Sequence, residues 1–198
     1  DKVTDAVKAA ADLGYRHFDT AQAYGNERGV GEGIRTCGIP REELFVVSKV
    51  AAEHKTYEDA KASIDKTLSD MGLDYLDMMI IHSPQPWADF RGGDYAEGNR
   101  EAWRALEDAY AAGKLRAIGV SNFRKPDLDN ILTGCRVRPM VDQILLHISN
   151  TDLPLLDTCR AERILVEAYS PIAHGEALKN PMIAEMAAKY GVSAAQLC

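Results

Sequence analysis

The stretch LFVVSK at residues 44–49 is an apolar, β-rich run that ends on a lysine. The stretch MMIIH at residues 78–82 has the same form and ends on a histidine. Such near-continuous apolar runs are typical of strands in a parallel sheet that is covered on both faces. Similar runs occupy residues 15–21, 117–122, 140–147 and 164–170. The sequence therefore predicts six buried parallel strands.

Segments with helical character separate these runs, and capping or breaking residues mark their ends. Thr56 and Gly72 bracket one predicted helix, and Pro181 and Gly191 bracket another. Further helices are expected over residues 3–13 and 97–112, near Pro126 and after Ser193. Strands and helices that alternate in this way predict right-handed βαβ units.

A doubly wound sheet and a closed barrel both fit that alternation, and the ends of the strands distinguish them. Polar residues end nearly every strand: Asp19, Lys49, His82, Ser121 with Asn122, Gln143, and Tyr169 with Ser170. In a barrel these residues would converge on one pocket, whereas a flat sheet would spread them along its edge. The predicted fold class is therefore α/β, a (β/α)8 TIM barrel of which about six βα units are present.

A (β/α)8 barrel needs two more strands than the six that the sequence predicts. Six strands alone would leave two edges unpaired, which is an unfavourable end state for a sheet. We therefore expect residues 1–198 to form a single barrel domain that is incomplete at both ends and belongs to a longer protein. The alternative is a protein whose chain is itself truncated.

The composition argues against nucleic acids and membranes as partners. The net charge is −7 and no dense Lys/Arg stripe is visible, which argues against nucleic-acid binding. No apolar run approaches the roughly 20 residues that span a bilayer. The four cysteines are scattered without a Cys-x-x-Cys pair, which favours thiols in a reducing cytoplasm. We expect a cytoplasmic protein, monomeric or weakly homo-oligomeric, with a small molecule as its partner.

Four of the polar residues suit one kind of chemistry: Asp19, Tyr24, Lys49 and His82. Carbonyl reduction needs a hydride donor and an acid that protonates the emerging alkoxide. A free tyrosine has a pKa near 10, and a neighbouring lysine ammonium would lower it. A carboxylate would hold the lysine charged, and a histidine would polarise the carbonyl. Because Lys49 ends an apolar strand, its ammonium needs a partner, and Asp19 is the obvious one.

Several motifs then resemble those of the aldo-keto reductase superfamily, in the same order along the chain. HFDTAQAYGNE at residues 17–27 resembles the family signature around a catalytic aspartate and tyrosine. VVSK at residues 46–49 and MIIHSP at residues 79–84 resemble its lysine- and histidine-bearing strand ends. GKLRAIGVSNF at residues 113–123 and EAYSPI at residues 167–172 resemble two later stretches.

The resemblance implies a role for each matching residue. Tyr24 would be the general acid, Lys49 would lower its pKa, Asp19 would pair with Lys49, and His82 would orient the carbonyl. The cofactor would be NADPH, without a metal. Its nicotinamide would be held by Ser121, Asn122, Gln143 and Tyr169, and its pyrophosphate would lie along Ser170. The implied activity is reduction of small aldehydes or ketones, with dicarbonyls and keto sugars as candidate substrates.

The chain also departs from the family pattern. Many relatives have tryptophan directly after the catalytic histidine, whereas this chain has Ser83. Trp87 is therefore predicted to border the substrate opening in its place. Asp142 stands before Gln143, where relatives often carry asparagine.

The sequence also leaves two alternative functions open. Lys49 at a strand end suits a Schiff-base aldolase, although the other matching residues would then be unexplained. A regulatory or structural protein with this fold would not need turnover at all.

Overall fold

The computed structural model describes residues 2–198, which fall into two compact units. The first unit ends at Val141, and the second comprises Asp142–Cys198. The expectation of one barrel domain over the whole chain stays a prediction.

In the first unit, helices and strands alternate along the chain. The helices are α1 (Lys2–Asp12), α2 (Glu27–Thr36), α3 (Tyr57–Met71), α4 (Ala96–Ala111) and α5 (Lys125–Leu132). The strands are β1 (His17–Asp19), β2 (Phe45–Val50), β3 (Met78–Ile81) and β4 (Ile118–Ser121). They pair in parallel in chain order. The register places Asp19 opposite Val47 and Lys49 opposite Ile80.

In the second unit, two strands and three helices follow one another. The strands are β5 (Val141–Leu145), which starts at the boundary residue, and β6 (Leu165–Tyr169). They are hydrogen-bonded neighbours. The helices are α6 (Leu153–Glu162), α7 (Pro181–Tyr190) and α8 (Ala194–Leu197).

Side-chain alternation along β2 and β3 separates an apolar core from a polar end. Val47, Met78 and Ile80 share one buried cluster on the same face of the strands. Lys49 and His82 follow on that face, because every second residue of a strand points the same way. Ser48 points to the opposite face, where its hydroxyl donates to Glu27 Oε1 of α2 at 2.5 Å. The strands therefore carry their ionisable side chains beyond the apolar core, at their carboxyl ends.

The predicted helix ends are confirmed. Two further helices were not predicted from the sequence. Thr56 Oγ1 accepts from Asp59 N at 3.1 Å, and Gly72 closes α3 with a φ of 63°. The helices missed by sequence reasoning are α2 and α6. The sequence of α2, ERGVGEGIRT, contains three glycines, which lower helix propensity by about 1 kcal/mol each.

Gly31 shows why α2 contains glycines despite their low helix propensity. A Cβ at this position would overlap the backbone of Met71 at the end of α3. The absence of a side chain therefore lets α2 approach α3 closely.

We predict that Gly31→Ala lowers the free energy of unfolding by about 1–3 kcal/mol, because neither backbone has room for the methyl group. Urea unfolding monitored by circular dichroism measures the change. Gly134→Ala is the matched control, since nothing lies within 4 Å of the added Cβ, and it should stay within about 0.5 kcal/mol. Equal stability of the two variants would contradict the close approach of α2 to α3.

Candidate active site

The centre of the site is the buried ammonium of Lys49, which is only 1% exposed. Its Nζ forms an ion pair with the Asp19 carboxylate and donates to the backbone oxygen of Thr20 at 2.9 Å. A buried ammonium without such partners would carry a large desolvation penalty. The predicted pairing of Lys49 with Asp19 is thus confirmed, across the ends of β2 and β1.

Tyr24 lies beside this ion pair, on a short 3-10 turn over Gln22–Tyr24. The turn ends at Gly25, whose φ of 64° lets its N–H donate to Gln22 O at 3.2 Å. The Tyr24 side chain is about half exposed, and its ring centroid lies 5.4 Å from Lys49 Nζ. A solvent-accessible phenol ring therefore lies next to a buried positive charge.

His82 completes the group from the end of β3. Its backbone N–H donates to Val50 O at 3.0 Å, which continues the ladder between β2 and β3. Its ring lies 5.7 Å from the ring of Tyr24, edge to face. Burial, and secondarily the charge of Lys49, lower the pKa of His82 to about 4. His82 is therefore a neutral imidazole near pH 7.

Two aromatic side chains extend the site along the loop after β3. The ring of Trp87 lies 5.2 Å from that of His82 and 5.5 Å from that of Phe90. Both side chains are 43% exposed. The structure thus places Trp87, the predicted substrate residue, next to His82 and open to solvent.

Ser121 and Asn122 follow from β4 and lie close to the same group. Asn122 Nδ2 donates to the backbone oxygen of His82 and to Ser121 Oγ, both at 3.1 Å. Ser121 is buried, and Asn122 adopts a left-handed backbone with a φ of 62°. The structure therefore brings these two predicted cofactor residues together with His82.

The remaining predicted cofactor residues belong to the second unit. Gln143 on β5 is buried, and its Nε2 donates to Glu167 Oε1 of β6 at 2.8 Å. Tyr169 is the last residue of β6, and Ser170 follows it with a φ of 52°. Tyr169 and Ser170 thus lie at the end of β6, as predicted. Gln143 does not end its strand, because β5 continues to Leu145.

Sequence reasoning missed residues that hold the site from outside. Gln22 Oε1 accepts from Ala51 N at 2.8 Å, and its Nε2 donates to Thr67 Oγ1 at 3.0 Å, which ties the Tyr24 turn to β2 and α3. Glu27 accepts from Ser48 and Thr67, and burial raises its pKa. Both lie within the segment 17–27 that carries the resemblance, yet no local pattern indicates their partners.

Lys55 is a third such residue, in the loop after β2. Its Nζ donates to the backbone oxygen of Ser83 at 2.9 Å and to Asn99 Oδ1 at 2.8 Å. Burial lowers the pKa of Lys55 to about 8. This lysine therefore fixes the chain directly after His82.

The order of the parallel strands, with helices between them, is that of an α/β protein of the (β/α)8 class. Comparison with known proteins agrees, since the model of the aldo/keto reductase family matches residues 1–198. The chain belongs to the aldo/keto reductase family. It is therefore an NAD(P)H-dependent oxidoreductase that acts on carbonyl groups.

Individual relatives support this assignment. The glyoxal reductase of Bacillus subtilis is 43% identical over 197 residues, which cover 100% of this chain and 68% of the relative. An aldo-keto reductase from a Medee basin deep-sea metagenome library superposes with a TM-score of 0.91 at 35% identity, covering 100% of this chain and 71% of its own. The Bombyx mori aldo-keto reductase in complex with NADP superposes with a TM-score of 0.85 at 32% identity, covering 100% and 69%. These superpositions confirm the predicted partial (β/α)8 barrel.

Over residues 2–198, no helix combines the length and apolar character needed to cross a bilayer. In the same range, no three His, Cys, Asp or Glu side chains are grouped as ligands of a metal ion.

The low pKa of His82 predicts a specific dependence of stability on pH. The unfolded histidine binds its proton near pH 6.5, whereas the native one does so only near pH 4. Between these values the unfolded state holds more protons, so the free energy of unfolding should fall as the pH falls from about 6.5 to about 4. His82→Gln should remove this part of the slope. Urea midpoints of both proteins across the range measure it, and equal slopes would contradict the buried neutral imidazole.

Proposed function

We propose that this chain reduces small aldehydes or ketones with NADPH, using Tyr24 as the general acid. The observation that supports this most directly is the buried Lys49–Asp19 pair beside the ring of Tyr24. Dicarbonyls and keto sugars are the candidate substrates, and the similarity to a protein named glyoxal reductase favours the dicarbonyls.

The chemistry of the side chains present fits a nicotinamide cofactor. In the first unit, the Ser121 hydroxyl and the Asn122 carboxamide offer the donors and acceptors that a nicotinamide carboxamide requires. In the second unit, Gln143 offers a further carboxamide, Tyr169 an aromatic ring for stacking, and Ser170 a hydroxyl for a phosphate oxygen. When bound, the reduced nicotinamide supplies a hydride to the carbonyl carbon. The similarity to a reductase solved with NADP favours NADPH over NADH.

Tyr24 would give the proton that the emerging alkoxide needs. The Lys49 ammonium lies 5.4 Å from its ring centroid and stabilises the negative charge that the phenol oxygen acquires. Asp19 and the Thr20 carbonyl hold that ammonium in place. Because the Lys49 ammonium is already in place, it favours proton release by Tyr24 without having to move during the reaction.

His82 would orient the carbonyl group. Because its imidazole is neutral near pH 7, it acts as a hydrogen-bond partner and leaves proton transfer to Tyr24. Its ring lies 5.7 Å from that of Tyr24 and 5.2 Å from that of Trp87. A carbonyl oxygen placed against both His82 and Tyr24 would be polarised by one and protonated by the other.

The alternative of a Schiff-base aldolase is disfavoured by the same ion pair. A lysine nucleophile must be neutral to attack a carbonyl. The Asp19 carboxylate and the Thr20 carbonyl both stabilise the protonated form of Lys49.

We predict that Tyr24→Phe lowers kcat by about 10²–10⁴-fold while NADPH still binds, because only the acid is removed. Absorbance at the NADPH band follows turnover of dicarbonyls and aromatic aldehydes, and quenching of tryptophan fluorescence follows binding. Tyr190→Phe, at a tyrosine that is 72% exposed, is the control and should keep wild-type turnover. Undiminished turnover in Tyr24→Phe would exclude Tyr24 as the acid. NADPH binding without turnover by the wild type would favour a regulatory role.

We further predict that Asp19→Asn lowers kcat at least about tenfold, since the buried Lys49 ammonium loses its counter-charge and tends to release its proton. Asp65→Asn removes an exposed carboxylate that pairs with Lys114, and it should leave kcat unchanged. Steady-state kinetics at pH 7 compares the two. Equal kcat values would show that the charge of Lys49 does not assist the reaction.

A further inference from the structure

We propose that Arg91 is a positioning residue that fixes the loop after β3 onto the backbone of Asn122 and so couples the substrate side of the site to the cofactor side. This loop comprises residues 83–95 and carries Trp87 and Phe90. The proposal rests on the proposed function, in which Trp87 faces substrate and Asn122 contacts the nicotinamide.

The guanidinium of Arg91 has three partners from three parts of the first unit. Its Nη2 donates to the backbone oxygen of Asn122 at 2.7 Å. Its Nη1 forms an ion pair with Asp127 Oδ2 of α5 at 3.1 Å. Its central carbon lies 4.7 Å from the ring centroid of Phe90. The side chain is 26% exposed, so water competes with these contacts only in part.

The contact with Asn122 holds a conformation that the backbone does not favour by itself. Asn122 has a φ of 62° and Arg91 a φ of 65°, both in the left-handed region that side-chain-bearing residues seldom adopt. Such residues persist where the surroundings hold them. In this conformation the Asn122 carbonyl accepts from Arg91 while its Nδ2 reaches the His82 carbonyl. Arg91 thereby stabilises the arrangement in which the Asn122 side chain is set beside His82.

The same guanidinium fixes the aromatic part of the loop. Phe90 packs on Arg91 and on Trp87, and Trp87 packs on His82. A continuous set of contacts therefore runs from Asn122 through Arg91 to Trp87. Loss of Arg91 would therefore release both the Asn122 backbone and the aromatic part of the loop.

The planar guanidinium is suited to this role because its separate N–H groups reach a carbonyl and a carboxylate at once. A lysine ammonium is a single point charge. At position 91 it should keep the ion pair with Asp127 and lose the hydrogen bond to the Asn122 backbone oxygen. The charge alone should therefore not restore the function of Arg91.

The test is Arg91→Met, with the NADPH dissociation constant, kcat and KM measured alongside acrylamide quenching of tryptophan fluorescence without cofactor. Both the dissociation constant and the KM should rise roughly tenfold, as expected for loss of a hydrogen bond to a charged group. Quenching should increase, because Trp87 loses its support while Trp103, which is 2% exposed, stays protected. Arg91→Lys should fold like the wild type and still bind NADPH more weakly.

Arg41→Met is a matched control at the opposite end of the strands. Arg41 pairs with Asp77 at 2.7 Å, donates to Tyr75 O at 3.1 Å and stacks on the Tyr75 ring at 4.1 Å. Its side chain is 21% exposed, close to that of Arg91. This variant should lose stability and keep the wild-type dissociation constant, KM and quenching.

The outcomes separate this proposal from the proposed function. Unchanged NADPH affinity in Arg91→Met, with a wild type that binds, would overturn the role of Arg91 and leave the reductase intact. Wild-type affinity in Arg91→Lys would overturn the two-partner geometry. A wild type that binds no NADPH would refute the proposed function, and unchanged quenching in Arg91→Met would then also overturn the anchoring of the loop.

Discussion

The Lys49 ammonium lies at the carboxyl end of a strand whose other side chains are almost all apolar, and it is removed from water. Charge in such a place requires a counter-charge and further hydrogen-bond acceptors. Asp19 supplies the first and the Thr20 carbonyl the second. Both acceptors come from the neighbouring strand end, so the parallel register of β1 and β2 is what makes the buried charge tolerable.

The two faces of β2 contact different parts of the first unit. Val47 and Lys49 lie on the face that holds the apolar cluster, and Ser48 lies on the face toward α2. Glu27 accepts from Ser48 there, directly after the turn that bears Tyr24. The bond between Ser48 and Glu27 thus holds the start of α2, next to the Tyr24 turn, against one face of β2. The apolar cluster packs on the other face of the strand.

Long polar side chains then hold the loops around the site by bonding to backbone carbonyls. Lys55 holds Ser83, Asn122 holds His82, and Arg91 holds Asn122. Side chains that end in several donors can fix a loop without a regular ladder of backbone bonds. Ser83 itself is fully buried, and Trp87 provides the aromatic contact with His82.

The strands, most helix ends and the polar residues at the carboxyl ends of β1, β2, β3, β4 and β6 were predictable from the sequence alone. These features follow from local rules, namely apolar runs, capping residues such as Thr56, and the common direction of parallel strands. The sequence did not indicate α2, because its glycines serve a contact with Met71 that is remote in sequence. It also did not indicate Gln22, Lys55 or Arg91, whose partners Thr67, Ser83 and Asn122 lie 45, 28 and 31 residues away. These bonds depend on the tertiary structure, because backbone carbonyls and hydroxyl oxygens occur throughout the chain and only the fold selects which of them a donor meets.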